Sequence, residues 1–224
     1  MAMIELENII FSYDPEEPPV LKGLSLTVEK GTCQMLLGDN GCGKTTLFRL
    51  LNGLLFAQNG VYRLDGQEIT RRVLDDNRQS KRFHQRMGYL FQNPDVMLFS
   101  ARVYDEIAFG PRQMGFAEAE VARRTEDCLT LFDLTELRDK APYHLSTGQK
   151  KRVALAAVAA LNPEILVLDE PFAGLDGKTA EKVLAFLKEW KRAGKTILLS
   201  THEREMTASL TDRVLFLSEG RITS

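Results

Sequence analysis

Eight consecutive residues, Gly38-Asp39-Asn40-Gly41-Cys42-Gly43-Lys44-Thr45, constrain this 224-residue chain more than any others. They fit the pattern G-x-x-x-x-G-K-S/T, and their flanks are the ones that pattern needs. Before them, Cys33 to Leu37 is a short apolar run that predicts a buried strand. After them, Leu47, Leu50, Leu51 and Leu54 recur at helical spacing, with Gly53 as a terminator near the end. A strand, a glycine-rich loop and a helix in that order make a phosphate cradle. Glycines let backbone N–H groups curl around phosphate oxygens without Cβ clashes. The helix N-terminus adds its dipole. Lys44 then places a cation on the β- and γ-phosphates, and the Thr45 hydroxyl is a ligand for Mg²⁺. The candidate nucleotide contacts are therefore Gly38, Asn40, Gly41, Cys42, Gly43, Lys44, Thr45 and the following Thr46, with Cys42 facing the nucleotide region.

A second element completes the chemistry. Ile165-Leu166-Val167-Leu168 is an apolar strand that ends in two carboxylates, Asp169 and Glu170. Asp169 is expected to hold Mg²⁺ through water, as a Walker B aspartate does. Glu170 is expected to polarise the attacking water. Neighbours on a strand point to opposite faces, but the end of the strand frees Glu170 to turn inward. Together the two elements predict a nucleoside-triphosphate hydrolase.

The rest of the chain fits that frame. Strands are expected at Ile4 to Tyr13, Leu24 to Val28 and Met87 to Phe91, with a hairpin of Val61 to Leu64 and Gln67 to Ile69 around Asp65-Gly66. Asp14 to Pro19 reads as a turn. Arg71 to Arg86 reads as a linker or a solvated helix. From Pro94 to Ala160 the character is helical, with Val121, Thr125, Cys128, Leu129 and Phe132 on one helix face. Further strands at Thr196 to Ser200 and Val214 to Leu217 alternate with helices such as Thr179 to Trp190. That alternation predicts an α/β fold with a mostly parallel sheet and helices on its faces.

Composition excludes several classes. The 29 Lys+Arg against 31 Asp+Glu give a net charge of −2, and without a cationic face no nucleic-acid partner is expected. The longest uncharged apolar stretch, Val153 to Leu161, falls far short of the ~20 residues that span a bilayer. The N-terminal MAMIELENII has no basic region of a secretory signal. Three scattered cysteines, Cys33, Cys42 and Cys128, exclude a disulfide framework and a cysteine zinc site and suggest a reduced, cytosolic chain. Two basic groups, Lys150-Lys151-Arg152 and the diluted cluster from Arg71 to Arg86, read as solvated surface.

Between the two nucleotide elements lies Leu145-Ser146-Thr147-Gly148-Gln149. Here the chain resembles the nucleotide-binding subunit of an ABC transporter over nearly its whole length, with the motifs in the expected order. That resemblance implies a P-loop ATPase core with an N-terminal antiparallel β subdomain at residues 1–92, completed by 161–224, and an inserted helical signature subdomain at 93–160. It implies that Tyr13 stacks on adenine. It gives Gln92, in Tyr-Leu-Phe-Gln-Asn-Pro, the role of the loop glutamine that senses Mg²⁺ and the membrane partner. Ser146, Gly148, Gln149 and Asp176 are implied to contact the opposite subunit or its nucleotide, and His202 to hydrogen-bond the γ-phosphate and the water. The family usually shows LSGGQ; Thr147 adds a side chain where backbone normally approaches the partner's γ-phosphate, which bears on the efficiency of that half-site.

The pattern FQNPD…LF…V.DEIAFGP from Phe91 to Pro111 is similar to the ATPase subunits of energy-coupling-factor importers for cobalt, nickel and vitamins. The resemblance implies ATP and Mg²⁺ as cofactors, a homodimer or a heterodimer with a paralogue, and docking beneath a transmembrane coupling protein that holds a substrate-binding membrane protein. It places the chain in the cytoplasm, peripheral on the inner face of the membrane. After Leu217 only the turn Ser218-Glu219-Gly220-Arg221 is expected, where many members of that group continue into a dimerising segment; pairing is then expected to depend on nucleotide and membrane partner. The other readings are the ATPase of a different ABC transporter, such as an exporter, and a soluble ABC ATPase.

Overall fold

The computed structural model describes residues 2–223. In chain order the elements are β1 (Ala2–Phe11), β2 (Leu21–Glu29), β3 (Cys33–Leu37), α1 (Lys44–Leu51), β4 (Asn59–Leu64), β5 (Gln67–Glu68), α2 (Arg71–Leu74), α3 (Asn77–Arg86) and β6 (Met87–Leu90). There follow α4 (Val103–Met114), α5 (Glu118–Leu131), α6 (Thr147–Ala159), β7 (Ile165–Asp169), α7 (Gly177–Arg192), β8 (Thr196–Ser200), α8 (Arg204–Thr207), β9 (Arg213–Ser218) and β10 (Arg221–Thr223). Three single 3₁₀ turns lie between β6 and α6.

Two sheets carry the architecture. One is antiparallel, in the order β2-β1-β4-β5. The hairpin of β4 and β5 closes through Asp65 and Gly66, both at positive φ (53° and 76°), the backbone that a two-residue turn of matching twist requires. The other sheet has the order β10-β9-β3-β8-β7-β6; all its pairings are parallel except the β9–β10 edge hairpin. Three residues, Arg221 to Thr223, thus form a strand in addition to the turn expected there.

Strands β3, β6, β7 and β8 are buried on both faces, as parallel strands between layers must be. Their side chains alternate between two cores. Met35, Leu37, Leu166, Leu168, Ile197 and Leu199 pack with the helices α4 to α7. Leu36, Ile165, Val167 and Leu198 point the other way, into a core shared with α1 and the antiparallel sheet. The fold is the α/β class the sequence predicts. The stretch from Arg71 to Arg86 is helical rather than a linker. Thr70 and Asp76 cap its two helices by accepting the N–H of Val73 (3.3 Å) and Gln79 (2.9 Å).

Gly38, at the end of β3, has no room for a side chain. A Cβ there would overlap the Leu217 carbonyl oxygen and lie 2.6 Å from the Cys42 sulfur. Gly38→Ala is expected to destabilise the fold by roughly 1–3 kcal/mol, read as the shift in a urea unfolding midpoint. An unchanged midpoint would show that the backbone gives way freely.

Candidate active site

Parallel strands deliver their following loops to one edge of the sheet, and ligands of such sheets bind outside the carboxyl ends of the strands. The loops after β3, β6, β7 and β8 bring residues 38–43, Gln92, Glu170 and His202 to that edge. They enclose a cleft of about 470 Å³ lined by Asn40, Gly41, Gly43, Lys44, Thr45, Thr46, Gln92, Asp169, Glu170, His202, Val20 and Tyr13. Gly38 lines a neighbouring cleft of about 480 Å³, together with Asn40, Lys44, Glu170 and His202.

Helix α1 starts at the cleft. Its first residue follows Gly43 at φ 110°, and no side chain caps it. Its first N–H donors are thus left for an anion. The Lys44 ammonium arches back over the loop and donates to the carbonyls of Gly38 (2.6 Å) and Asp39 (3.0 Å). The Thr45 hydroxyl donates to Asp169 Oδ2 at 2.8 Å, joining the loop to the end of β7. The buried Ser200 hydroxyl donates to Asp169 Oδ1 at 2.7 Å and fixes the rotamer of that carboxylate.

Glu170 follows β7 in a left-handed backbone conformation, φ 50°. That turn puts its side chain on the same cleft as Asp169. Glu170 is 8% exposed, and its Oε1 lies 3.3 Å from His202 Nε2. Burial pushes the Glu170 carboxyl above the usual range; His202, through its charge and its backbone N–H, pulls the other way, and Asp169 adds to the rise. A buried carboxyl of raised pKa beside a histidine in a cleft is a better proton acceptor than a glutamate in water. At the other end of the cleft the Tyr13 ring is 55% exposed, edge-on to Phe11, with its hydroxyl 3.1 Å from the Thr46 hydroxyl.

The donor set fits a hard divalent cation. Thr45 and Asp169 offer oxygen only, with Gln92 in the same lining. Among the described residues there is no cluster of three His, Cys, Asp or Glu able to hold a metal alone. Mg²⁺ is ordinarily held through one or two carboxylates and substrate phosphates, a demand that Asp169 and the Thr45 hydroxyl suit.

Four predicted residues stand apart from the cleft. Ser146, Gly148 and Gln149 start α6, where the Ser146 hydroxyl and the Gln149 side chain cap each other's backbone N–H in a capping box. Asp176 caps α7, accepting the N–H (2.9 Å) and the hydroxyl (2.9 Å) of Thr179, and the Thr179 N–H holds its carboxyl below the usual range. Gly148 and Gly174 bring the two helix starts close, since a Cβ on Gly148 would meet the Gly174 carbonyl oxygen at 3.1 Å.

The Cys42 side chain is partly buried, packs against the core shared by α1 and the antiparallel sheet, and keeps its sulfur 4.0 Å from the Lys44 ammonium. One expectation is corrected. The basic run after Gln149 is not a solvated face. Lys151 is 1% exposed and donates to the carbonyls of Gln92 (2.7 Å) and Glu170 (3.1 Å). Arg152 donates to the carbonyls of Phe132 (2.9 Å) and Asp133 (3.0 Å), and Lys150 pairs with Asp95 at 2.7 Å.

A parallel sheet with a glycine-rich phosphate loop, a strand-end Asp-Glu pair and a histidine at one edge defines a P-loop nucleotide hydrolase. The comparisons narrow this. The ABC transporter family model matches residues 21–173. The nickel import ATP-binding protein LarO of Lactiplantibacillus plantarum is 46% identical over 216 residues, 96% of this chain and 89% of that protein. The energy-coupling factor transporter ATP-binding protein EcfA of Methanothermobacter thermautotrophicus is 40% identical over 220 residues, 98% and 69% of the two. A dimeric ATP-binding cassette solved in a post-hydrolysis state with ADP and Pi superposes with a TM-score of 0.89 at 26% identity, covering 99% of this chain and 97% of that one. The chain belongs to the ABC transporter family, as an ATP-binding subunit that hydrolyses ATP.

Proposed function

We propose that the chain powers an importer of the energy-coupling-factor type for a metal ion or a vitamin, as one of two ATPases beneath a transmembrane coupling subunit and a substrate-binding membrane subunit. The observation that carries this is the 46% identity to a nickel import ATP-binding protein across 96% of the chain. Likeness to EcfA supports the energy-coupling-factor type. No helix among the described residues is long and apolar enough to cross a membrane. As one of the ATPases of such an importer the chain sits on the cytoplasmic face and needs a docking surface.

Such a surface follows Gln92. Val96 and Phe99 are 67% and 66% exposed, and the Phe99 ring stands edge-on to Phe109 at 4.8 Å. The loop that presents them is held from inside. Asn93 caps the turn at Asp95 (3.0 Å), and the buried Glu106 accepts the N–H of Phe99 (2.9 Å) and Ser100 (2.7 Å) through Oε2. Apolar residues held in place and exposed near one another suit a partner surface.

Hydrolysis is assigned as follows. Lys44 and the loop N–H groups bind the β- and γ-phosphates, and Tyr13 stacks on adenine. Thr45, Asp169 and Gln92 would hold Mg²⁺, which when bound neutralises charge on the phosphates. Glu170 takes a proton from the attacking water as the water oxygen bonds the γ-phosphorus and the bond to the β–γ bridging oxygen breaks. His202 holds the γ-phosphate and steadies Glu170. Ser146, Gly148, Gln149 and Asp176 are supplied to the nucleotide of a second ATPase, this chain's own copy or a paralogue. Their distance from the cleft of their own chain supports that division, as does the dimeric cassette.

The test is affinity purification of the tagged chain from detergent-solubilised membranes, with mass spectrometry of what accompanies it. A coupling protein and a small hydrophobic substrate-binding protein are expected, and Phe99→Asp is expected to release both while ATP binding persists. A different permease, or no membrane protein from preparations rich in the chain, would overturn the reading.

A further inference from the structure

The nucleotide cleft leaves one buried charge unused. Lys151 stands on α6, one turn in from the Ser146 cap, and is 1% exposed. A buried ammonium is costly unless its donors are met. Here they are met by peptide carbonyls, Gln92 at 2.7 Å and Glu170 at 3.1 Å. Burial lowers its pKa, and the nearby charges of Asp169 and Glu170 favour the ammonium against that. The two carbonyls belong to the two loops that carry the groups assigned to water and metal. Glu170 is also the residue that needs holding, since a left-handed backbone is uncommon for glutamate. Its N–H donates to the Ser200 carbonyl (3.1 Å), and its carbonyl accepts from Lys151 and the Ala173 N–H (3.3 Å).

We infer that Lys151 is a positioning residue for ATP hydrolysis: its ammonium clamps the backbone of Glu170 to that of Gln92 and so aims the Glu170 carboxylate at the water site. The clamp also ties both loops to α6, whose first turn carries Ser146 to Gln149. A shift of that helix start toward a second subunit is therefore passed directly to the carboxylate. Lys151 does not line the cleft, so it acts on turnover and not on nucleotide affinity. This rests on the reading of Glu170 as the group that polarises water.

The test is a double-mutant cycle on the purified chain, with MgATP binding and single-turnover hydrolysis measured for each variant. Lys151→Met keeps the length of the stem and removes the donors. Its turnover is expected to fall about 10–100-fold, the scale of an ångström-sized misplacement, with ATP affinity unchanged. In a Glu170→Gln background the same change is expected to cost almost nothing, because the group it aims is gone. Lys151→Gln, which keeps an N–H donor, is expected to recover part of the rate. Should the Met variant not fold, the Gln variant carries the same cycle. An equal fractional loss in both backgrounds, a parallel loss of ATP affinity, or wild-type turnover in Lys151→Met would each overturn the inference. Unchanged turnover in Glu170→Gln alone would instead overturn the reading beneath it.

Discussion

Lys44→Ala is expected to weaken ATP binding by about 10²–10³-fold and to abolish measurable hydrolysis at millimolar nucleotide. The ammonium is the one cation the phosphate loop itself provides. Its two hydrogen bonds to the Gly38 and Asp39 carbonyls hold it at the mouth of the loop, in reach of a phosphate seated on the α1 N-terminus. Charge-assisted hydrogen bonds contribute about 1.5–3 kcal/mol each, so losing a pair toward the lower end of that range costs about 3–4 kcal/mol, and each 1.4 kcal/mol is tenfold in Kd. The helix dipole and the loop N–H groups remain, which is why residual binding is expected rather than none. Alanine at this position leaves the strand–loop–helix backbone intact, so a circular dichroism spectrum is expected to match the unmodified chain. Unchanged ATP affinity by fluorescence or calorimetry would remove Lys44 from the site.

The elements legible in the sequence were those whose chemistry is written in short, contiguous patterns. Strand β3, the loop to Thr45 and helix α1 are one continuous segment, and β7 runs straight into Asp169. The parallel sheet followed from alternating apolar runs and helices, because strands buried on both faces carry little polar residue. What stayed hidden depends on packing between distant segments. Lys150, Lys151 and Arg152 look alike in sequence, yet a helix turns each by about 100° from the last. One faces Asp95, one is buried under two loops, and one reaches the end of α5. Only the tertiary fold distinguishes them. The segment of α2 and α3 was half legible: its charge left a linker and a solvated helix both open, and the caps Thr70 and Asp76 are what make it helical. Three-residue β10 has too few positions for any period to show.

Glu170→Gln is expected to reduce turnover about 10²–10⁴-fold, the range for a positioned base, while ATP binding persists. The substitution keeps size and the neutral hydrogen-bonding shape of the side chain and removes its capacity to take a proton. Nothing in the phosphate loop is touched, since Lys44 and Thr45 make their contacts to Gly38, Asp39 and Asp169. Affinity and turnover should therefore separate, which a merely structural role for Glu170 would not produce. The pH profile gives an independent reading. Burial raises the Glu170 pKa, so its basic form appears at a higher pH than for a glutamate in water, ordinarily near 4.3. Only the deprotonated carboxylate can accept a proton, so turnover should rise as pH climbs through the raised pKa and fall away below it. That acid limb should lie above the ordinary carboxylate range in the unmodified chain and vanish in Glu170→Gln. His202 adds a second check: its Nε2 is 3.3 Å from Oε1 and its charge pulls the Glu170 pKa down, so His202→Ala should move the limb upward. A Glu170→Gln variant with unchanged turnover would strip Glu170 of its role and leave the water to be activated by the phosphate and the metal alone.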